Sequence, residues 1–310
     1  MASRKSKLQI RVEYAAVWLL FFTLRLLPRK VAVWLGMAAG SLAFQTIAPL
    51  SKTGMRNLEM AYPEKSFSER RDLLRGTFQS LGRMLGEMSQ FPKATSDGLA
   101  ALIDFDIAPD LWQTYEKLRD EGRGIIIISP HMGNWEMLVY AWSTFYQPMS
   151  YLARPLDNPL IEDLTHRLRT KFGNRPINKT NAMNRAIRVL REGGILGILA
   201  DVNTHPKEGV FVPFFGIDAC TSAGPAMLAL RTGAMILPMA GVWDASTQRY
   251  RAVHGRLIEA VDTGNRAADV LATTAAFTAE VENLVRQYPE QWLWIHKRWK
   301  TRPAGQASLY

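Results

Sequence analysis

The run Ile125-Ile-Ile-Ile-Ser129 contains four consecutive isoleucines followed by a small polar residue. A short apolar run of β-branched residues is typical of a strand that is buried on both faces of a sheet. The next residues are Pro-His-Met-Gly-Asn-Trp-Glu136. Pro130 and Gly133 favour a turn, and Asn134 can cap a helix. Together these residues predict a buried strand, an exposed turn and the start of a helix.

Similar apolar runs recur further along the chain, and helical patterns lie between them. Strands are predicted at 149–153, 195–200 and 234–242, and helices near 158–172, 180–192 and 222–232. Residues 59–120 have the pattern of amphipathic helices. This alternation predicts an α/β fold with a mixed sheet flanked by helices, in which active groups lie at strand ends and in the following loops.

Length and composition indicate a folded protein with one catalytic unit and an appendage. The chain has 310 residues, of which 47% are apolar and 21% are charged. It contains a single cysteine, Cys220, so it has no internal disulfide and no thiolate metal cluster, which fits a reducing compartment. The histidines lack metal-ligand spacing, and we predict neither a catalytic metal nor a cofactor.

The net charge of +10 is concentrated at the two ends of the chain. Residues 1–60 hold nine Lys/Arg against two Glu, and residues 286–310 hold five against one, so the ends carry +7 and +4 and the middle carries −1. The N-terminal cations flank apolar runs, whereas nucleic-acid binders more often spread them along a groove or recognition helix. We therefore expect an anionic membrane surface as a partner and no nucleic acid.

Two uncharged runs, 14–24 and 31–51, follow the first cations. The first is shorter than the roughly 20 residues that span a bilayer, and the second is diluted by glycine and polar residues. Trp18 and Trp34 suit a membrane interface. This pattern fits two structures: an anchor that spans the bilayer or lies in it, and a pair of core helices. The clustered cations favour the anchor.

The simplest division of the chain is a membrane-anchor segment of helices at 1–58 and a catalytic domain at 59–310. The first uncharged run has no good cleavage site for a secretory signal before Pro28-Arg29-Lys30. If the segment spans the membrane, the preference of Lys and Arg for the cytoplasmic side places the N-terminus in the cytoplasm.

His131 and Glu136 are the candidate catalytic pair. On one continuous helix their side chains would point about 140° apart, but they can meet if His131 lies in the turn before the helix begins. A histidine oriented by a carboxylate is suited to remove a proton from an alcohol. The alternative interpretation is that His131 only caps the helix and Glu136 is a surface residue.

Four blocks in order resemble the bacterial lipid A acyltransferases, within the lysophospholipid-acyltransferase-like superfamily. The first is the His131-x4-Glu136 pair, and the second is Arg154-Pro-Leu-Asp-Asn-Pro159. The third is Gly209-Val-Phe-Val-Pro-Phe-Phe-Gly216, and the fourth runs from Pro289 to Pro303. The resemblance covers nearly the whole chain and implies a glycerolipid-acyltransferase-like fold.

The resemblance implies that acyl-acyl carrier protein is the donor and that a hydroxyl of a lipid A precursor is the acceptor. It places the protein at the bacterial inner (cytoplasmic) membrane, with the active site facing the cytoplasm. A glycerolipid or phosphatidylinositol-mannoside acyltransferase would use the same pair with a different acceptor. A catalytically silent membrane homologue that binds lipid is the alternative from another class.

Within this resemblance, His131 is the general base and Glu136 is its orienting partner. The candidate substrate-binding residues are Arg154, Asn134 and Asp201. Arg154 follows an apolar strand, where a guanidinium can bind phosphate, although an ion pair with a nearby Asp also fits. Asn134, with Gly133, could offer amide groups to an oxyanion. Asp201 precedes Val202, where many relatives have Gln.

The C-terminal segment mixes Trp292, Trp294 and Trp299 with four cations. This composition fits a lipid-headgroup surface or a docking site for an acidic carrier protein. A basic helix whose tryptophans pack inward fits equally. Phe214 and its aromatic neighbours could line an acyl groove, but such a cluster beside a strand is more often part of a core.

Overall fold

The computed structural model describes residues 6–105, 107–153, 155–177 and 181–310. In these ranges the α-helices are α1 (Lys7–Leu26), α2 (Arg29–Thr46), α3 (Ala48–Ala61), α4 (Phe67–Gln90), α5 (Ser96–Ala100), α6 (Pro109–Asp120), α7 (Trp135–Phe145), α8 (Pro159–Thr170), α9 (Ala182–Arg191), α10 (Gly224–Thr232) and α11 (Arg266–Gln287). The strands in the same ranges are β1 (Ile103–Asp104), β2 (Ile125–Ser129), β3 (Ser150–Leu152), β4 (Arg175–Ile177), β5 (Ile195–Leu199), β6 (Gly209–Phe214), β7 (Ile217–Ser222), β8 (Met235–Asp244) and β9 (Arg249–His254).

Within the described ranges, seven strands form one mixed sheet in the order β1-β9-β8-β2-β5-β3-β4. Every adjacent pair is parallel except β8 and β9, which are antiparallel. Strands β6 and β7 form a separate antiparallel ribbon. The predicted α/β fold with a mixed sheet flanked by helices is confirmed.

The central strand β2 is buried on both faces, as its isoleucines predict. Ile126 and Ile128 pack into a large core on the face covered by α9, α10 and α11. Ile125 and Ile127 pack into the opposite core, which α6 and α7 cover. Because successive side chains alternate between the faces of a strand, an unbroken apolar run is required here.

The predicted strands at 125–129, 149–153, 195–200 and 234–242 correspond to β2, β3, β5 and β8, with ends that differ by two residues at most. Four of the remaining strands are hard to predict for physical reasons. Strands β1 and β4 have only two and three residues, at the sheet's edges. Strand β6 contains a proline, and β7 mixes polar with apolar residues.

Helix α2 packs closely against α4 through glycines. A side chain on Gly36 would approach the carbonyl oxygen of Gly82 to 2.1 Å, and one on Gly82 would approach the oxygen of Gly36 to the same distance. These glycines therefore permit contact between the helix backbones. A partly buried ion pair adds to this contact, since Arg29 Nε donates to the buried carboxylate of Glu87 at 2.8 Å. The boundary proposed between residues 58 and 59 falls inside α3.

Large apolar side chains of the first two helices point to solvent. On α1 they include Leu19, which is 60% exposed, and Trp18, and on α2 they include Trp34, which is 65% exposed. No single helix of the described residues is long and apolar enough to cross a membrane. By length and composition, α2 and α3 together meet that requirement, with a bend of 86° between them.

Candidate active site

The turn that carries His131 connects β2 to α7, as the sequence predicts. Asn134 caps the helix, because its side-chain oxygen accepts a hydrogen bond from the backbone N–H of Met137 at 2.9 Å. Gly133 has a φ of +58°, and a side chain there would approach the Gly241 carbonyl oxygen to 2.1 Å. The turn therefore requires glycine at this position.

The carboxylate of Asp201 holds His131 on two sides. Asp201 Oδ1 lies 2.7 Å from His131 Nδ1, and Asp201 Oδ2 accepts the His131 backbone N–H at 2.7 Å. The indole N–H of Trp292 also donates to Oδ2, at 2.8 Å. Asp201 is 3% exposed. The contacts with His131 and Trp292 thus supply the hydrogen bonds that a buried carboxylate needs.

Strand register explains why His131 and Asp201 meet. Strands β2 and β5 are parallel neighbours in which Ser129 pairs with Leu199. His131 and Asp201 each lie two residues beyond this pair, so both emerge at the same edge of the sheet. Carboxyl ends of parallel strands are where α/β proteins place their functional groups.

The contact between His131 and Asp201 shifts the pKa of both side chains. Burial alone would lower the pKa of His131, but the charge and hydrogen bond of Asp201 and the charge of Glu136 raise it above 6.5. Burial alone would raise the pKa of Asp201, but the charge of His131 and the hydrogen bonds from His131 and Trp292 lower it to about 2.

Asp201 is therefore ionised at neutral pH and can only accept hydrogen bonds, so Nδ1 of His131 carries the proton. The lone pair of neutral His131 then lies on Nε2. No hydrogen bond of the described residues occupies that atom. A lone pair in this position can accept a proton from a substrate.

Glu136 lies on the first turn of α7 and faces Arg169 of α8. Its carboxylate accepts hydrogen bonds from Arg169 Nε at 2.9 and 3.2 Å, and from Nη2. Glu136 is 5% exposed and is not a surface residue. Among the described residues, the carboxylate bonded to His131 is Asp201, and Glu136 makes no hydrogen bond to that ring. Its influence on His131 is through charge.

The other predicted binding residues have different outcomes. Arg154 lies outside the described residues. The backbone N–H of Gly133 donates to the Gln291 carbonyl at 3.0 Å, and that of Asn134 donates to the Gly241 carbonyl at 2.8 Å. Asn134 is completely buried. Both backbone amides are therefore engaged within the protein and are not free to bind an oxyanion, whereas a role of Asn134 in substrate binding stays a prediction.

A cavity of about 350 Å³ opens beside His131. Its polar lining includes His131, Glu136 and Arg169. Most of the remaining lining is apolar and comes from the sheet, the residues next to its strands and α7, including Ile127, Leu138, Val139, Trp142, Met149 and Ile198. The cavity thus combines a charged cluster with apolar walls, which is the usual composition of a small-molecule site.

The C-terminal segment forms hydrogen bonds with the turn that carries His131, a role that the sequence does not indicate. Leu293 N–H donates to the His131 carbonyl at 3.0 Å. Trp292, Trp294 and Trp299 are at most 1% exposed, so they form no lipid or carrier-protein surface. The inward-packing alternative is correct for the tryptophans, although they follow a short 3₁₀ turn and not a helix. Phe214 is also core.

Residues 1–301 match the family described as bacterial lipid A biosynthesis acyltransferase. The chain belongs to this family of acyltransferases. It is 30% identical to the lipid A biosynthesis lauroyltransferase of Escherichia coli (strain K12), over 92% of this chain and 90% of that protein. It is 27% identical to the palmitoleoyltransferase of the same strain, over 94% of each chain. It is 26% identical to the phosphatidylinositol mannoside acyltransferase of Mycolicibacterium smegmatis, over 92% of this chain and 90% of that protein.

Proposed function

We propose that the protein transfers a fatty acyl chain from acyl-acyl carrier protein to a hydroxyl of a lipid A precursor. His131 Nε2 removes the hydroxyl proton as the oxygen attacks the thioester carbonyl. The ester C–O bond forms, the C–S bond breaks, and the departing thiolate takes the proton from His131. The observation that carries this proposal is a histidine, held by an ionised carboxylate, on the wall of an apolar cavity.

The cavity is suited to a fatty chain. Its walls beyond His131 are built largely from Leu, Ile, Val, Met and Trp side chains. Burial of each methylene in such surroundings contributes about 0.8 kcal/mol, so the chain supplies binding energy far from the reacting carbonyl.

We assign different roles to the two carboxylates near His131. Asp201 orients the ring through Nδ1, and Glu136 stabilises the imidazolium at longer range while it fixes Arg169 at the cavity wall. We keep Arg154 as a proposed binding group for donor or acceptor, on the resemblance of its sequence block.

Direct transfer predicts that no acyl-enzyme forms. Incubation with acyl-acyl carrier protein alone should leave the protein mass unchanged, because His131 activates the acceptor hydroxyl for direct attack and the transfer needs no nucleophile from the protein. Ester product should appear when a lipid A precursor is added, as followed by mass spectrometry. An acylated protein that disappears on addition of acceptor would contradict this mechanism.

The acceptor is inferred from the names of the relatives. Because one relative is a phosphatidylinositol mannoside acyltransferase, the alternative is a glycerolipid or mannoside acceptor at the same site. Separate assays with a lipid A precursor, a lysophospholipid and a phosphatidylinositol mannoside distinguish them. A folded protein that transfers to none of them would favour the catalytically silent, lipid-binding homologue.

We further propose that the exposed apolar side chains of α1 and α2 contact the cytoplasmic face of the bacterial inner membrane. Deletion of residues 1–30 would also remove the Arg29 ion pair, so substitutions at exposed positions are a cleaner test. Leu19→Ser with Trp34→Ser should weaken binding to vesicles of phosphatidylethanolamine and phosphatidylglycerol by at least about tenfold, because each large apolar side chain contributes roughly 1.5–3 kcal/mol on burial.

The matched control for this prediction is Leu271→Ser. Leu271 is 45% exposed but lies on α11, outside the N-terminal helices. It should leave vesicle binding unchanged in a sedimentation assay. Equal binding by the double variant and the unaltered protein would show that α1 and α2 are not the membrane contact.

A further inference from the structure

Trp292 lies at the centre of the hydrogen bonds that hold the catalytic turn. Its Nε1 donates to Asp201 Oδ2 at 2.8 Å, and the side chain is 1% exposed. The same Oδ2 accepts the His131 backbone N–H, while Oδ1 faces His131 Nδ1. Trp292 therefore shares Asp201 Oδ2 with the backbone of the turn, but it does not line the cavity.

The backbone around Trp292 is also joined to this turn. Trp292 forms a bridge with Met132, the residue after His131. The residues on either side of it bond to Gly133 and His131. The indole thus has little freedom to move away from Asp201.

We propose that Trp292 is a positioning residue for His131, which it orients by fixing the rotation of the Asp201 carboxylate. This inference rests on the proposed function, because it assumes that His131 is the base. With Trp292 in place, one carboxylate oxygen is shared between the indole and the backbone, and the other is left for the imidazole. Loss of the indole N–H leaves Oδ2 with the His131 backbone N–H alone, so the carboxylate is held less firmly and its charge is shared among fewer donors.

Other charged groups also face this pair. Glu136 acts on His131 through its charge, and His296 lies close enough for His131 and Asp201 to affect its pKa. His296 is held neutral by burial, and its Nε2 accepts the Asn203 backbone N–H at 2.9 Å. Buried Arg298 interacts with Asp201 through its charge. None of these interactions requires the indole N–H, so all of them remain when Trp292 is replaced.

The test compares Trp292→Phe with Trp294→Phe. Trp294 is also completely buried, but its Nε1 donates to the Pro289 carbonyl and not to Asp201. A hydrogen bond to a charged group contributes about 1.5–3 kcal/mol, so Trp292→Phe should lower kcat by at least about tenfold. Trp294→Phe should stay within about twofold of the unaltered protein.

A second readout separates positioning from a general loss of packing. With fewer donors on Asp201, its negative charge attracts the proton on His131 more strongly, which raises the pKa of His131. The acid limb of the rate profile should therefore move to higher pH in Trp292→Phe and stay fixed in Trp294→Phe. Equal losses in the two variants, or an unmoved limb in Trp292→Phe, would overturn the inference.

A measurement without turnover keeps the two proposals distinct. In protein with isotope-labelled histidine, NMR should give His131 a higher pKa in Trp292→Phe than in Trp294→Phe. Failure of transfer by the unaltered protein would remove the proposed function, whereas an equal pKa in both variants would remove only the role of Trp292. If Trp292→Phe does not fold, benzothienylalanine at this position keeps the shape of tryptophan without its N–H, and the same outcomes apply.

Discussion

Replacement of His131 by alanine should reduce acyl transfer by about 10²–10⁴-fold, the loss expected when a positioned general base is removed. In the proposed reaction, Nε2 is the atom that receives the hydroxyl proton, and neither of the two carboxylates near His131 is placed to replace it. Glu136 is paired with Arg169, and Asp201 is buried behind the ring. The measurement is the initial rate of ester formation with acyl-acyl carrier protein and a lipid A precursor.

Two controls accompany this variant. His131→Ala leaves buried Asp201 without its imidazole partner and can therefore lower stability. His131→Gln retains a donor for Asp201 but has no base, so it should be equally inactive while folding normally. His166→Ala removes an exposed histidine of α8 and should remain active. Near-normal transfer by folded His131→Gln would refute the mechanism.

The central strand and its turn could be predicted because their signals are local. Four isoleucines need no information from elsewhere in the chain to indicate a doubly buried strand. Pro130, Gly133 and Asn134 act within a few residues of one another to end the strand and begin α7. The position of His131 in this turn follows from the same residues, and the structure agrees.

The partner of His131 could not be read from local spacing. Glu136 is five residues away and was the natural candidate, whereas Asp201 is seventy residues away. The two meet because β5 is the parallel neighbour of β2, and strand order is a property of the whole sheet. The available signal is that the sequence predicts both strands and that each predicted strand is followed, within two residues, by a titratable side chain.

The C-terminal tryptophans were ambiguous for a related reason. Trp292, Trp294 and Trp299 share a short segment with four cations, and this composition fits an exposed surface or a core equally well. Only tertiary contacts distinguish the two, and they place all three rings in the core. Even Arg298 is buried, with Nη1 donating to the Cys220 carbonyl at 3.0 Å.

Asp201→Asn should slow acyl transfer by about 10²–10³-fold, and Glu136→Gln by a smaller factor. The first change removes the charge that touches His131 and allows an amide N–H to face Nδ1, which favours the wrong tautomer. The second change removes a charge that acts at longer range and leaves the contact between His131 and Asp201 in place. The two isosteric variants thus distinguish the carboxylate in contact with the base from the one named by the sequence motif.

The dependence of these rates on pH gives the sharper test. Because the charge and hydrogen bond of Asp201 outweigh burial and raise the pKa of His131, the unaltered protein should lose activity as the pH falls through a pKa that is higher than usual for histidine, where His131 becomes protonated. Without the Asp201 charge the imidazole binds its proton less tightly, so the acid limb of Asp201→Asn should move to lower pH. Glu136→Gln should move it in the same direction by less. If Glu136→Gln produced the larger loss and the larger movement, Glu136 would be the carboxylate that orients the base during turnover, and the contact between Asp201 and His131 would belong only to the resting protein.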